Sequence, residues 1–304
     1  MAVAVLLSIY CGVFTFVLGC VRRILQYSRT PMHLRWELYP VPHETGERAA
    51  YGGSYFEETE WWTKKRSRSL FGELRFMLPE MLLLRGLWQF NRRLWFRSFT
   101  FHAGLYLIIG SAILSFGNTF AEHWVLIPGM ARAVSLSAWT GLLLLLMGGT
   151  ALFHMRLRDP KFRTCTTIGD LFNVGAFAAA AALLMLGGVA GTMPSVAVLT
   201  RAVLSCDASL HIPVVGGCGL LLAAFMAGYV PFTHMGHFVA KYFTYHAVRW
   251  DDEPSMAGGR LAKQMARQLT YRPTWSAPHL GADGKRTWAD VATSNPAKAD
   301  EVRK

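Results

Sequence analysis

Five long apolar blocks constrain the fold of this chain more than any other feature. They cover residues 2–21, 98–116, 136–155, 171–191 and 213–233, and none of them contains an acidic or basic residue apart from histidine. A transmembrane helix needs about 20 mostly apolar residues. One such block could be a buried helix of a soluble protein, but five predict an all-α membrane protein with five transmembrane helices.

Composition agrees with this prediction. Hydrophobic residues make up 52% of the 304 residues and charged residues only 16%, whereas a soluble domain carries about 25% charged residues. The mean hydropathy is +0.26. A disordered chain is excluded by the same apolar content.

The basic residues predict the orientation of the helices. Of the 31 lysines and arginines, 29 lie in the segments 22–97, 156–163 and 234–304, which we call the basic side. The positive-inside rule places this side in the cytoplasm, with the N-terminus outside and the C-terminus inside. The net charge of +12 is therefore a topology signal, and nucleic acid is not an expected partner. Because Arg22 and Arg23 follow the first block, we expect a retained helix and not a cleaved signal peptide.

These patterns predict four regions. Residues 1–22 form the first transmembrane helix, 23–97 a cytoplasmic segment, 98–240 a four-helix transmembrane bundle and 241–304 an extended cytoplasmic tail. In the second region, Pro79 and Glu80 predict the start of an interfacial helix that lies on lipid or on a partner subunit. In the tail, aromatic residues predict docking onto another protein: Trp250, Tyr271, Trp275 and Trp288.

Histidines near the ends of the blocks are the candidate functional residues, because ionisable residues in a membrane are costly and commonly functional. His102 lies in the second block, and His237 follows the fifth. Two neutral imidazoles on facing helices can bind the iron of haem b from both sides. Gly104 and Gly236 are small residues beside these ligands that would make room for the macrocycle. Arg97, His234 and Lys241 are candidates to neutralise its propionates. The alternative is that each histidine is a polar residue at the interface, which is the interpretation we prefer for His154.

Other cofactor chemistry has no pattern in the sequence. The five cysteines form no C-x-x-C pair, which argues against an iron–sulfur cluster, a zinc ribbon or covalently attached haem in this chain. No phosphate-binding loop or catalytic motif is present. The blocks also contain no Asp or Glu to carry the protons of a quinone reaction, so such a reaction would have to take place at a rim of the membrane.

At the histidines the chain resembles the gamma subunit of respiratory nitrate reductase, a five-span cytochrome b. The resemblance rests on FHAG at 101–104 and PFTHMGH at 231–237. It is closer to the cytochrome b subunits of the Dsr-type and Tmc-type complexes of sulfate reducers. The segments that carry it are RWELYPVPHE at 35–44, KYFTYH at 241–246, VRWDDEP at 248–254, WSAPH at 275–279 and KRTW at 285–288.

The resemblance implies an electron-transfer subunit in the cytoplasmic membrane of a bacterium or archaeon. Such a subunit carries haem b and exchanges electrons with menaquinone or with a periplasmic multihaem cytochrome c. On the cytoplasmic side its partner is an iron–sulfur subunit that resembles heterodisulfide reductase. His102 and His237 correspond to the ligands of the inner haem.

One departure from the family concerns the outer haem. The positions of its two ligands are Ala112 and Gly219 here, and neither residue can bind iron. We therefore expect one haem, and the quinone site, which adjoins the outer haem in the family, is in doubt. His123 and His211 could form a substitute pair. The alternatives to an electron-transfer subunit are a redox-inactive membrane anchor that binds other subunits and a small transporter.

Overall fold

The computed structural model describes most of the chain. The described residues are 1–30, 44, 47–51, 53–65, 69–121, 129–191, 193–277 and 282–294. The RWELYPVPHE segment, apart from Glu44, and the candidate ligand His123 lie outside the described residues.

The described chain is mostly helical. Its α-helices in chain order are α1 (Ala2–Arg29), α2 (Glu47–Tyr51), α3 (Leu70–Leu82), α4 (Arg85–Phe90), α5 (Arg92–Ala121), α6 (Met130–Arg158), α7 (Pro160–Arg163), α8 (Ile168–Val189), α9 (Val196–Ser205), α10 (Val214–Tyr229), α11 (His237–Phe243), α12 (Arg260–Leu269) and α13 (Trp288–Thr293). Short 3₁₀ turns cover Tyr55–Glu57, Trp61–Thr63, Val230–Phe232 and His234–Gly236, and a π-helical turn covers Thr244–Arg249. Strands β1 (Ser276–Ala277) and β2 (Ala282–Asp283) pair antiparallel, with Ser276 opposite Asp283.

Five helices are long and apolar enough to cross a membrane, which confirms the five predicted spans. They are α1, α5, α6, α8 and α10 with the turn that follows it. Large apolar side chains point away from the protein along these helices: Phe14, Ile113, Leu143, Leu186 and Phe225 are each at least 45% exposed. An apolar surface of this extent is typical of contact with lipid. The chain is a multi-pass membrane protein.

The chain divides into two compact units. The first comprises Met1–Val21 and Phe76–Gly236, and the second comprises Arg22–Arg75 and His237–Lys304. The first unit holds most of the apolar helices. The second holds the end of α1, the following segment and the C-terminal region.

Glycines bring the helices of the first unit into close contact. A Cβ atom on Gly104 of α5 would lie 2.5 Å from the backbone nitrogen of Leu145 and 2.7 Å from the carbonyl oxygen of Gly141, both on α6. On α1, Gly12 lies against the carbonyl group of Ala224 in the same way. Small residues at such crossings let helix backbones approach in a membrane, where packing is the main driving force.

Apolar side chains fill the space beside these crossings. Phe101 of α5, Leu145 of α6 and Ala181 of α8 form a buried cluster, and Met235 packs against it. The turn that follows α10 is thereby attached to the three preceding membrane helices.

The predicted interfacial helix has different bounds in the structure. α3 runs through Pro79 and ends at Leu82, and Leu84 then adopts a left-handed conformation (φ 53°) before α4 begins. The prediction that Pro79 starts the helix is therefore wrong. The last carbonyl groups of a helix have no partner within the helix, and side-chain donors of α5 reach two carbonyl oxygens at the end of α3. Trp95 Nε1 donates to Leu83 O at 2.7 Å, and the Tyr106 hydroxyl donates to Met81 O at 2.9 Å.

The described C-terminal residues, 237–277 and 282–294, belong to the second compact unit. Trp250 is only 4% exposed and packs against Tyr245, with ring centroids 4.8 Å apart. The buried carboxylate of Asp252 accepts a hydrogen bond from the Tyr55 hydroxyl at 2.7 Å. Trp250, predicted as a docking residue, is thus a core residue of the second unit, whereas Trp275 is 43% exposed.

Candidate functional site

His102 lies on α5 and is half-buried. Its Nδ1 lies 2.7 Å from the backbone carbonyl oxygen of Ser98, one turn earlier in the helix. A carbonyl oxygen can only accept, so Nδ1 carries the proton and donates it. In a neutral imidazole the lone pair is then on Nε2. This is the tautomer that binds a metal through Nε2, with the second nitrogen held by a backbone carbonyl.

Aromatic rings surround this histidine within the first unit. The ring of Phe101 is 5.7 Å from that of His102, and the ring of Tyr106 is 6.2 Å away. Phe101 is 2% exposed and forms an edge contact with Phe177 of α8. The backbone next to His102 is therefore held by a packed core, which favours a fixed orientation of the imidazole.

The two predicted glycines have structural roles of their own. The contact between Gly104 and α6 gives that glycine a function in helix packing that needs no cofactor. Gly236 is buried in the turn after α10, where a Cβ atom would lie 3.2 Å from the carbonyl oxygen of Pro231. Their proximity to a macrocycle stays a prediction.

The predicted cations are distributed over both units. Arg97 lies on α5 five residues before His102, which is about 140° around the helix from that histidine. Lys241 of α11 belongs to the second unit, where its ammonium group lies 5.3 Å from the centre of the Tyr245 ring. His237 is exposed and is the first residue of α11. His154 is exposed at the end of α6.

His234 lies beside an acidic residue that the sequence analysis placed outside the membrane spans. α8 begins at Ile168, three residues before the apolar block, so Asp170 is in its first turn. The carboxylate of Asp170 lies 3.4 Å from His234 Nε2 and 3.9 Å from an Arg156 guanidinium nitrogen. The apolar block 171–191 itself contains no acidic residue, but the helix that holds it begins earlier and includes Asp170. A signal was present, because Thr167 and Asp170 have the spacing of a capping box, which marks a helix start.

The outer positions do not offer an equivalent pair of ligands. A Cβ atom on Gly219 would lie 2.9 Å from the Cγ atom of Leu184, so this position of α10 packs on α8. Ala112 is exposed on α5, and His211 is exposed before α10. In the described part of the chain, no three His, Cys, Asp or Glu side chains are grouped closely enough to hold a metal ion; a bis-histidine haem needs only two ligands.

Comparison with known proteins does not assign the chain to a family. No protein-family model, characterised protein or solved structure matches the chain.

Proposed function

We propose that the chain is a haem b electron-transfer subunit of a respiratory complex in the cytoplasmic membrane of a bacterium or archaeon. His102 and His237 would hold one haem near the cytoplasmic side. When bound, the haem accepts and gives up single electrons. The protein holds its two ligands, neutralises the propionates and excludes water.

The hydrogen bond between His102 Nδ1 and the Ser98 carbonyl oxygen carries this proposal. This hydrogen bond selects the tautomer that an iron ligand needs. It lies in an apolar helix, where ionisable residues are costly and commonly functional. A histidine that only reached for interfacial water would gain little from this fixed orientation. His234 and Lys241 supply positive charge for the propionates near the second ligand, and Arg97 supplies it on α5.

The residues at the outer positions favour one haem per chain over two. Ala112 and Gly219 have no ligand atom, and a Cβ atom on Gly219 would lie 2.9 Å from the Cγ atom of Leu184. The chain would exchange electrons with two kinds of partner. One is menaquinone or a periplasmic multihaem cytochrome c, and the other is a cytoplasmic iron–sulfur subunit resembling heterodisulfide reductase. The basic side faces the cytoplasm and that subunit.

Haem content tests the proposal. We expect the purified protein to contain one haem b per chain by the pyridine haemochrome assay. His102→Ala and His237→Ala should each lose it, because a six-coordinate haem depends on both axial ligands.

His154→Ala is the matched control, since His154 is an exposed histidine at the end of α6, and it should keep the haem. A wild-type protein without haem would refute the proposal and favour the membrane anchor. Two haems per chain would show that another histidine binds iron and that the assignment of a single inner haem is wrong.

A further inference from the structure

A cleft of about 470 Å³ lies within the second unit. Its volume is in the range of ligand-binding pockets, about 300–1,000 Å³. Two parts of the chain that are far apart in the sequence form it: the short turn with Trp61 and Trp62, and the segment from Asp251 to Met256 together with α12. Trp62 is 46% exposed and Met256 is 52% exposed, so the cleft is open to solvent. A group that is attached to a larger molecule can therefore enter it.

The turn that carries the two tryptophans is attached to the core of the unit. The ring of Trp61 makes edge contacts with the ring of Phe56, at 4.6 Å, and with the ring of Trp62, at 6.2 Å. Phe56 is buried. Glu60, which precedes the turn, adopts the left-handed conformation (φ 54°), and this conformation costs free energy in a residue other than glycine. The fold thus holds Trp62 at the cleft although its ring is partly exposed.

Carboxylates line the same cleft. In the run Asp251-Asp252-Glu253, the middle carboxylate is buried and accepts a hydrogen bond from the Tyr55 hydroxyl, whereas the two outer residues line the cleft. The carboxylate of Asp251 accepts a hydrogen bond from the Glu253 N–H at 3.1 Å, and Glu253 pairs with Arg260 of α12. Among the described residues, no lysine, arginine or histidine lines the cleft. The lining is therefore negative in a chain whose net charge is +12.

The remaining lining is apolar and selects among cations. Met256 and the α12 residues Leu261 and Met265 contribute to it, and methionine side chains adapt to the shape of a partner. An arginine side chain matches the three parts of the lining. Its methylene stem would contact the methionines, its planar guanidinium group would stack on Trp62, and its N–H groups would donate to Asp251.

We propose that this cleft binds an arginine side chain of a partner protein. Charge complementarity supports this occupant, and buried contacts between tryptophan and arginine commonly dominate the affinity of protein interfaces. The site contains neither Trp250 nor Trp275, which the sequence predicted as docking residues. The inference goes beyond the proposed function, because a redox-inactive anchor that binds other subunits would use such a site as well.

Binding of an arginine peptide tests the site. The probe is a short dye-labelled peptide with three arginines, titrated by fluorescence anisotropy against the purified full-length protein in a neutral detergent, where no anionic lipid binds the peptide. Trp62→Leu removes the aromatic face. Asp251→Asn removes the charge but keeps an oxygen that can accept from the Glu253 N–H. Each variant should raise the Kd about three- to tenfold, as for the loss of a cation–π contact or of a charged hydrogen bond.

Two matched variants and one matched peptide serve as controls. Asp283→Asn is the same change at a residue that also accepts a hydrogen bond from the backbone N–H two residues later, at 2.9 Å, and that lies outside the cleft. Trp275→Leu removes a ring that is 43% exposed in the same unit. Both variants should bind the peptide as the wild type does. A peptide with glutamine in place of each arginine should not bind.

Three results would overturn the proposal: no binding of the arginine peptide to the wild type, equal binding of the glutamine peptide, or an unchanged Kd in Asp251→Asn and Trp62→Leu. A wild-type dimer that both variants convert to a monomer, measured by light scattering, would also overturn it and would make a second copy of the chain the occupant. If Trp62→Leu does not fold, Asp251→Asn alone decides the question.

Haem measured in the same samples separates this proposal from the proposed function. The haem content should be the same in the wild type and in all four variants, because none of the changed residues is a proposed ligand. Arginine binding that depends on Trp62 and Asp251 in a wild type without haem would refute the cytochrome but support the cleft.

Discussion

The crossing of α5 and α6 at Gly104 permits a quantitative test of the fold that holds His102. In Gly104→Ala the new methyl group would lie 2.5 Å from the Leu145 backbone nitrogen, and the two helices must separate by about 0.9 Å to restore an ordinary contact of 3.4 Å. Overpacking of this kind costs about 1–3 kcal/mol of unfolding free energy. Backbone atoms form this contact, so no side chain can rotate away to relieve it.

Gly110→Ala is the matched control on the same helix, because a Cβ atom there meets nothing within 4 Å. Alanine is favoured over glycine in a helix by up to about 1 kcal/mol. Because this gain applies at both positions, the two variants should differ by the overpacking cost alone, about 1–3 kcal/mol in unfolding free energy, measured by titration from mild detergent into a denaturing one. If the proposed haem is present, Gly104→Ala should also shift its absorbance, since His102 is two residues away. Equal stability of the two variants would show that α5 and α6 are not packed as described.

Two further predictions concern the ends of helices. Tyr106→Phe removes the donor to Met81 O and should cost about 1 kcal/mol, with faster amide hydrogen exchange in residues 76–90; unchanged exchange there would contradict the docking of α3 on α5. In the second unit, the carboxylate of Asp290 accepts hydrogen bonds from the backbone N–H and from the hydroxyl of Thr287. Both bonds lower the pKa of Asp290 below its usual value near 3.8, and the backbone bond is the larger cause. Because the folded pKa is the lower one, the stabilisation of α13 is complete above the unfolded pKa and is lost as pH falls through the folded pKa. Asp290→Asn should abolish this dependence, measured by hydrogen exchange of α13 between about pH 5 and pH 2, whereas an unchanged acid transition would refute the assignment.

The existence of the five membrane helices could be predicted from the sequence, but their ends could not. Hydropathy reports the apolar middle of a helix, whereas its ends depend on capping side chains and on neighbouring helices. α8 begins at a capping box three residues before the apolar block, and α5 begins at Arg92, six residues before its block. The fourth apolar block begins directly after Asp170, so hydropathy alone does not assign Asp170 to the membrane helix.

The candidate site could be predicted in part for a related reason. Residue type identified His102 as a possible ligand, and the structure adds the Ser98 carbonyl that fixes its tautomer. The Asp170–His234 pair joins residues 64 positions apart in the sequence, and no local pattern reports such a contact. An aromatic residue in a polar segment predicts docking onto another protein, yet Trp250 packs against Tyr245 of the same chain and is 4% exposed.

A single inner haem limits how a periplasmic partner could exchange electrons with this chain. From His102 to the far end of α5 at Ala121 there are 19 residues, or about 28 Å of helix at 1.5 Å per residue. Ala112 and Gly219, the positions that the resemblance gives to the outer ligands, cannot bind iron. If the proposed haem is the only one, a partner at the far end of α5 would have to exchange electrons over this distance in one step. We therefore expect the direct redox partner of this haem to lie on the basic side.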